Sequence, residues 1–91
     1  MQYIILSTDT KQAEYYYRRA KALLNPIIDR VAPYNFEIFI GDTKIRFTSS
    51  VYYYTNLRAG NGDAKVMRDV AFEEKLKEYV KTVKDIKEIK K

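Results

Sequence analysis

The spacing of apolar positions changes repeatedly along the chain, and each change marks an element. Tyr3-Ile4-Ile5-Leu6 is an unbroken run of aromatic, β-branched and aliphatic residues and predicts a buried strand. Beyond it, Ala13, Tyr16, Tyr17, Ala20, Leu24, Ile27, Ile28 and Val31 recur at helical spacing and predict one apolar helix face. Ser7-Thr8-Asp9-Thr10 supplies the start, with Asp9 as N-cap and Gln12 three residues on as a capping-box variant. Pro26 removes a donor and clashes with the preceding turn. A kink or restart is expected there, with Asn25 as new N-cap, Pro26 at the first helical position and Ala32-Pro33 as the end.

The period then drops to two. Gly41-Asp42 suits a two-residue type II′ turn, which needs glycine first. Counting outward pairs Ile40 with Thr43, Phe39 with Lys44, Ile38 with Ile45, Glu37 with Arg46 and Phe36 with Phe47. One face then collects Phe36, Ile38, Ile40, Ile45 and Phe47. The other sets Glu37 opposite Arg46 and Phe39 opposite Lys44, an arrangement that cross-strand pairing favours. Val51-Tyr52-Tyr53-Tyr54-Thr55 has strand propensity, while Ser49-Ser50 offers helix caps; the reading leans to a third strand. Residues 56–63, with Gly60 and Gly62, read as a loop, and 64–68 as a helical turn or a short strand. Phe72, Leu76, Tyr79, Val83 and Ile86 form one stripe and predict a helix over 69–90. Acids open that helix and lysines close it, which matches the dipole, and Glu73–Lys77 is a helix-spaced pair.

These elements predict a single α+β domain over residues 1–91 of order β-α-β-β-(β)-α. A short antiparallel or mixed sheet is packed by a kinked N-terminal helix and a long C-terminal helix.

Composition narrows the chemistry. The 91 residues contain no histidine, cysteine or tryptophan, so disulfides, thiolate metal sites and imidazole catalysis are out of reach. The reading is no enzyme, no cofactor and no metal. Met1 precedes no basic leader, and no stretch approaches the roughly 20 apolar residues of a membrane span. The expected setting is the cytoplasm, that of the host cell for a phage-encoded chain. The net charge of +5 permits contact with polyanions but is spread over both halves.

Nine tyrosines, six of them in the triplets Tyr15-Tyr16-Tyr17 and Tyr52-Tyr53-Tyr54, favour gripping over chemistry. Tyr16 and Tyr17 fall on the apolar helix face and Tyr15 off it. The candidate partner-binding residues are Tyr15, Arg18, Arg19, Lys44, Arg46, Tyr53 and Arg58. Rings that stack beside cations that track phosphates are what single-stranded nucleic acid requires. The plain alternative is a solvated face with scattered rings. The C-terminal stripe covers the sheet or pairs with a second copy as a homodimer. The lysines at 81, 84, 87, 90 and 91 read as a solubilising helix end, and Gly60-Asn61-Gly62-Asp63 as a turn without P-loop or calcium-loop chemistry.

Ile4-Ile5-Leu6-Ser7-Thr8, Lys11-Gln12-Ala13, Gly41 to Phe47, Leu57-Arg58-Ala59-Gly60 and Val70-Ala71-Phe72 occur in an order that resembles the ATPase domain of phage large terminases. The stretch resembled lies between the Walker A loop and the Walker B acids. No Walker A loop precedes Tyr3, Arg68 stands at the first Walker B position with Asp69 at the second, and Ala59 interrupts the Arg-Gly pair. The resemblance implies a phage or mobile-element origin and a hydrolysis-dead relative with an assembly role. The leading expectation is a non-catalytic viral protein that docks on a nucleic-acid-processing machine as inhibitor or accessory. The alternatives are direct binding of single-stranded nucleic acid and the terminase-like remnant.

Overall fold

The strand formed by the first apolar run lies inside a five-stranded mixed sheet. The computed structural model describes residues 1–58 and 63–78. In chain order the elements are β1 (Gln2–Ser7), α1 (Thr10–Leu24), β2 (Arg30–Ala32), β3 (Glu37–Ile40), β4 (Thr43–Ser49), α2 (Ser50–Tyr52) continuing into a π turn (Tyr53–Leu57), β5 (Lys65–Arg68), and α3, helical over residues 69–78. The sheet order is β2-β3-β4-β1-β5, and the fold is α+β. β1 runs parallel to both β4 and β5, while β3 is antiparallel to its two neighbours, β2 and β4.

Alternation along β1 divides the core in two. Ile5 faces α1 and α3, joining Tyr17, Ala20, Leu24, Ile38, Ile45, Phe47, Phe72 and Leu76 in the main core. Ile4 and Leu6 point the other way, into a smaller cluster with Tyr53. Both β1 faces are therefore covered, as an unbroken apolar run requires. The main core is threaded by rings: Phe36 lies 5.4 Å from Tyr17, Tyr17 6.0 Å from Phe47, and Phe47 5.6 Å from Phe72.

Local chemistry explains most boundaries. The Asp9 carboxylate caps α1 by accepting the Gln12 N–H at 2.8 Å. The Gln12 side chain reaches Thr8, accepting its N–H at 3.3 Å, so the reciprocal half of the capping box is made one residue early. The hairpin register is the one predicted, from Ile40↔Thr43 to Glu37↔Arg46. Gly41 has φ +55°, and Asp42 does not have positive φ, as a type II′ turn demands. The Gly41 N–H also donates to the Asp29 carboxylate.

Several expectations are corrected. The helix does not restart at Pro26: Asn25–Ile27 make a single 3₁₀ turn, and Val31 enters β2. Proline blocks helix continuation, and the exposed edge of β3 offers the chain a ladder instead, with Arg30 opposite Phe39. Phe36 lies outside β3 in a left-handed conformation, φ +51°, although its carbonyl still accepts the Phe47 N–H at 3.0 Å. Residues 51–55 are helical and not a strand. Ser49 Oγ caps them by accepting the Tyr52 N–H at 3.1 Å, and Ser50 Oγ donates to the Ser7 carbonyl at 3.2 Å. β1 and β3 flank most of β4, leaving only the short flank beside Thr48 and Ser49 free and no run of edge for a strand at 51–55 to pair along. Residues 64–68 contain a strand, β5. Glu73 pairs with Arg19 across helices and not with Lys77. The glycine turn at 60–62, the stripe beyond Leu76 and the lysine-rich end lie outside the described residues. Among the described residues, no helix is long and apolar enough to cross a membrane.

Candidate functional site

The seven candidate residues divide between the two sides of the sheet. Tyr15, Arg18 and Arg19 stand on the outer side of α1. Arg18 is bound to Glu14 at 2.7 Å, one helical turn away. Arg19 is bound to Glu73 of α3 and lies 5.5 Å from the Tyr15 ring centre. The hydrogen bond to Glu73 and its charge raise the Arg19 pKa. Tyr16, edge-on to Tyr15, has its pKa raised by burial and then by the charges of Asp69, Glu73 and Tyr15, against the opposing effect of Arg19. Each arginine here already has a carboxylate. The group joins α1 to α3 and carries little unmatched charge.

Lys44 and Arg46 lie on the opposite face. Residues directly opposite one another across a ladder share a face, so the registers assemble that face strand by strand. Lys44 stands beside Phe39, which stands beside Arg30. Arg46 stands between Glu37 and Ile4, and Ile4 beside Val66. Thr48 stands beside Leu6, and Leu6 beside Arg68. Four cations, Arg30, Lys44, Arg46 and Arg68, thus share a face with one carboxylate, Glu37. That carboxylate is buried and committed: Lys44 Nζ lies 3.2 Å from it, and Asn35 Nδ2 donates to it at 3.3 Å. The predicted partner of Glu37 was Arg46; Lys44, on the diagonal, takes the place. Arg46 Nε is enclosed with no hydrogen-bond partner among the described residues. The Arg30 guanidinium lies over the Phe39 ring, 4.1 Å from its centre, leaving a flat cation–aromatic stack on the sheet.

Tyr53 is corrected from exposed to buried. It is 6 % exposed and packs over Ile4 and Leu6. Tyr52 and Tyr54, at 46 % and 59 %, are the exposed rings of that triplet. A helix here turns the middle ring inward, where the expected strand would have sent it out. Arg58 lies 5.8 Å from the centre of the Tyr54 ring.

Sequence reasoning missed Arg30, Val66 and Arg68 because their segments were read as helix or left undecided. Tyr34, fully exposed in the turn Pro33–Asn35, was also missed. The hairpin register did foreshadow Phe39 beside Lys44.

One hydroxyl–carboxylate pair is closed off from solvent. Ser7 and Asp69 are both fully buried, and Ser7 Oγ donates to Asp69 Oδ2 at 2.8 Å. This pair fastens β1 to the start of α3. Among the described residues no three acids cluster closely enough to hold a metal ion. Comparison of the chain with protein-family models, curated proteins and solved structures finds no match.

Proposed function

We propose that the chain is a non-catalytic binding module that holds single-stranded nucleic acid on the sheet face opposite α1, outside the part of β1 that Tyr53 covers. The observation that supports this most is the group Arg30, Phe39, Lys44 and Arg46 on neighbouring strands, an aromatic ring inside an excess of cations, with Arg68 on the far side of the Tyr53-covered Ile4 and Leu6. Stacking on rings needs no particular base, and guanidinium groups suit phosphate oxygens. The test is fluorescence anisotropy with a labelled single-stranded oligonucleotide between 50 and 200 mM salt. With Lys44 held by Glu37, the three remaining cations Arg30, Arg46 and Arg68 predict a log–log salt slope of about −2, and Arg68→Gln should reduce it by about 0.7. Absence of binding at low salt refutes the reading.

A second reading is docking on a protein of a nucleic-acid-processing assembly, as inhibitor or accessory. Val51, Tyr52 and Tyr54, exposed side by side at 72 %, 46 % and 59 %, favour it, since aromatic residues anchor protein interfaces. It predicts a stoichiometric partner recovered from nuclease-treated lysate by the wild type and lost by Tyr54→Ala. An empty pull-down counts against it.

A further inference from the structure

β4 outruns β3. The antiparallel ladder ends at Glu37↔Arg46, because Phe36 turns left-handed and leads back into the turn Pro33–Asn35. Thr48 and Ser49 continue β4 but pair only with Leu6 and Ser7 of β1. Beside them, where β3 would have continued, lies a cavity of about 290 Å³. Its walls include Thr10 at the start of α1, Arg46, Thr48 and Ser49 of β4, and the rings of Tyr34 and Tyr52.

Three features mark this gap as a ligand site. First, it lies beside a switch in topology: the chain leaves β1 toward the α1 side of the sheet and leaves β4 toward the opposite side. Open α/β sheets hold ligands in the crevice at the carboxyl ends of such strands; the cavity opens one strand over, at the carboxyl end of β4 on its β3 side. Second, it presents an unused edge. Phe47 N–H donates toward β3 while Lys44 N–H donates toward Met1, so alternation directs Ser49 N–H to the vacated flank. Third, Tyr34 is 100 % exposed, a whole aromatic ring held in water at the mouth, and Tyr52 is pinned nearby by the Ser49 cap. A ring so placed gains nothing from the fold and is suited to stacking on something brought in.

We infer that this cavity takes one unstacked nucleotide, its base against Tyr34 and Tyr52 and its phosphate at Arg46. The volume is near the lower end of the roughly 300–1,000 Å³ of small-molecule sites, which suits a single nucleotide unit and not a dinucleotide. Arg46, whose Nε lacks a partner among the described residues, belongs both to this cavity and to the basic sheet face. The inference thus rests on the nucleic-acid reading for its strand-bound form: a strand crossing the face delivers its next base into the gap. A free nucleotide offers the same chemistry.

The experiment compares wild type, Tyr34→Ala, Tyr52→Ala and the control Tyr15→Ala. Each binds a fluorescent oligothymidylate in anisotropy titrations, and adenosine 5′-monophosphate is titrated against the ¹⁵N-labelled wild type. Both cavity tyrosines are exposed, so the fold survives their removal. Loss of one stacked base predicts a roughly five- to hundredfold weaker oligonucleotide for each cavity variant. The salt slope should not change, and Tyr15→Ala should behave as wild type. If the wild type binds oligonucleotide and both cavity variants bind it equally well, the cavity inference is overturned while the sheet-face reading stands. If oligonucleotide does not bind but the mononucleotide shifts the Ser49 and Tyr52 amides, the cavity inference holds and the sheet-face reading fails. Absence of both signals overturns both.

Discussion

Replacing Tyr17 by phenylalanine should stabilise this protein. Tyr17 is 3 % exposed, and its ring is held between Phe36 and Phe47 with centres 5.4 and 6.0 Å away. Its hydroxyl is buried and has no hydrogen-bond partner among the described residues. Leaving such a group unpartnered costs about 1–3 kcal/mol. Phenylalanine keeps the ring contacts and the Lys21 ammonium 5.2 Å from the ring centre, and removes only the oxygen. Allowing for the small void left behind, the net gain is about 1 kcal/mol, or a rise of about 4–8 °C in Tm for a domain of this size. Urea unfolding followed by circular dichroism should show a higher midpoint with unchanged slope.

Alkaline pH gives an independent check. Burial raises the Tyr17 pKa above the ordinary 10.0, so above pH 10 the folded chain holds a proton that the unfolded chain releases. Stability from this group is complete below that pH and is lost as pH rises through the folded value. The wild type should therefore weaken above pH 10 more steeply than Tyr17→Phe, with the raised Tyr16 contributing a slope common to both. A variant that is less stable than wild type by 1 kcal/mol or more, or identical alkaline slopes, would refute the account.

Ser7→Ala should destabilise by about 2 kcal/mol in the same unfolding assay, because it strips a donor from the buried Asp69 carboxylate. Gly41→Ala should cost about 1–2 kcal/mol: a Cβ there meets open space, so the whole loss is left-handed backbone strain. Ser49→Ala should cost about 1 kcal/mol through the lost cap on α2, and it should loosen Tyr52 enough to weaken the mononucleotide-induced shifts. Glu73→Gln should lower stability only slightly, with the difference shrinking at high salt, since the Arg19 side chain is exposed to solvent.

The candidate site shows how far sequence reasoning reaches. Arg18 and Arg19 look like free cations in the sequence, yet each meets a carboxylate: Glu14 one turn away, and Glu73 far along the chain. The first pairing was legible from helical spacing; the second needed α1 and α3 to lie side by side. Conversely, Arg30 and Arg68 gave no signal, because the face they join is created by pairing with Phe39 and Leu6. Tyr53 and its neighbours exchanged roles when two serines capped a helix where β-propensity favoured a strand.

What the sequence determined by itself is whatever a few adjacent residues can enforce. The period of apolar positions defined β1, the buried face of α1 and the stripe of α3; Asp9 began a helix, and Gly41-Asp42 set the hairpin register to the residue. These are local effects, complete within one or two turns of chain. The tertiary structure decided the rest. It placed β1 between β4 and β5, drew Val31 out of the helical pattern into an edge strand, and sent the chain after β4 to the far side of the sheet. Such outcomes depend on which hydrogen-bonding edges are already occupied and which apolar faces remain uncovered, conditions that exist only once distant segments meet. The basic sheet face and the cavity beside Ser49 are products of that second stage.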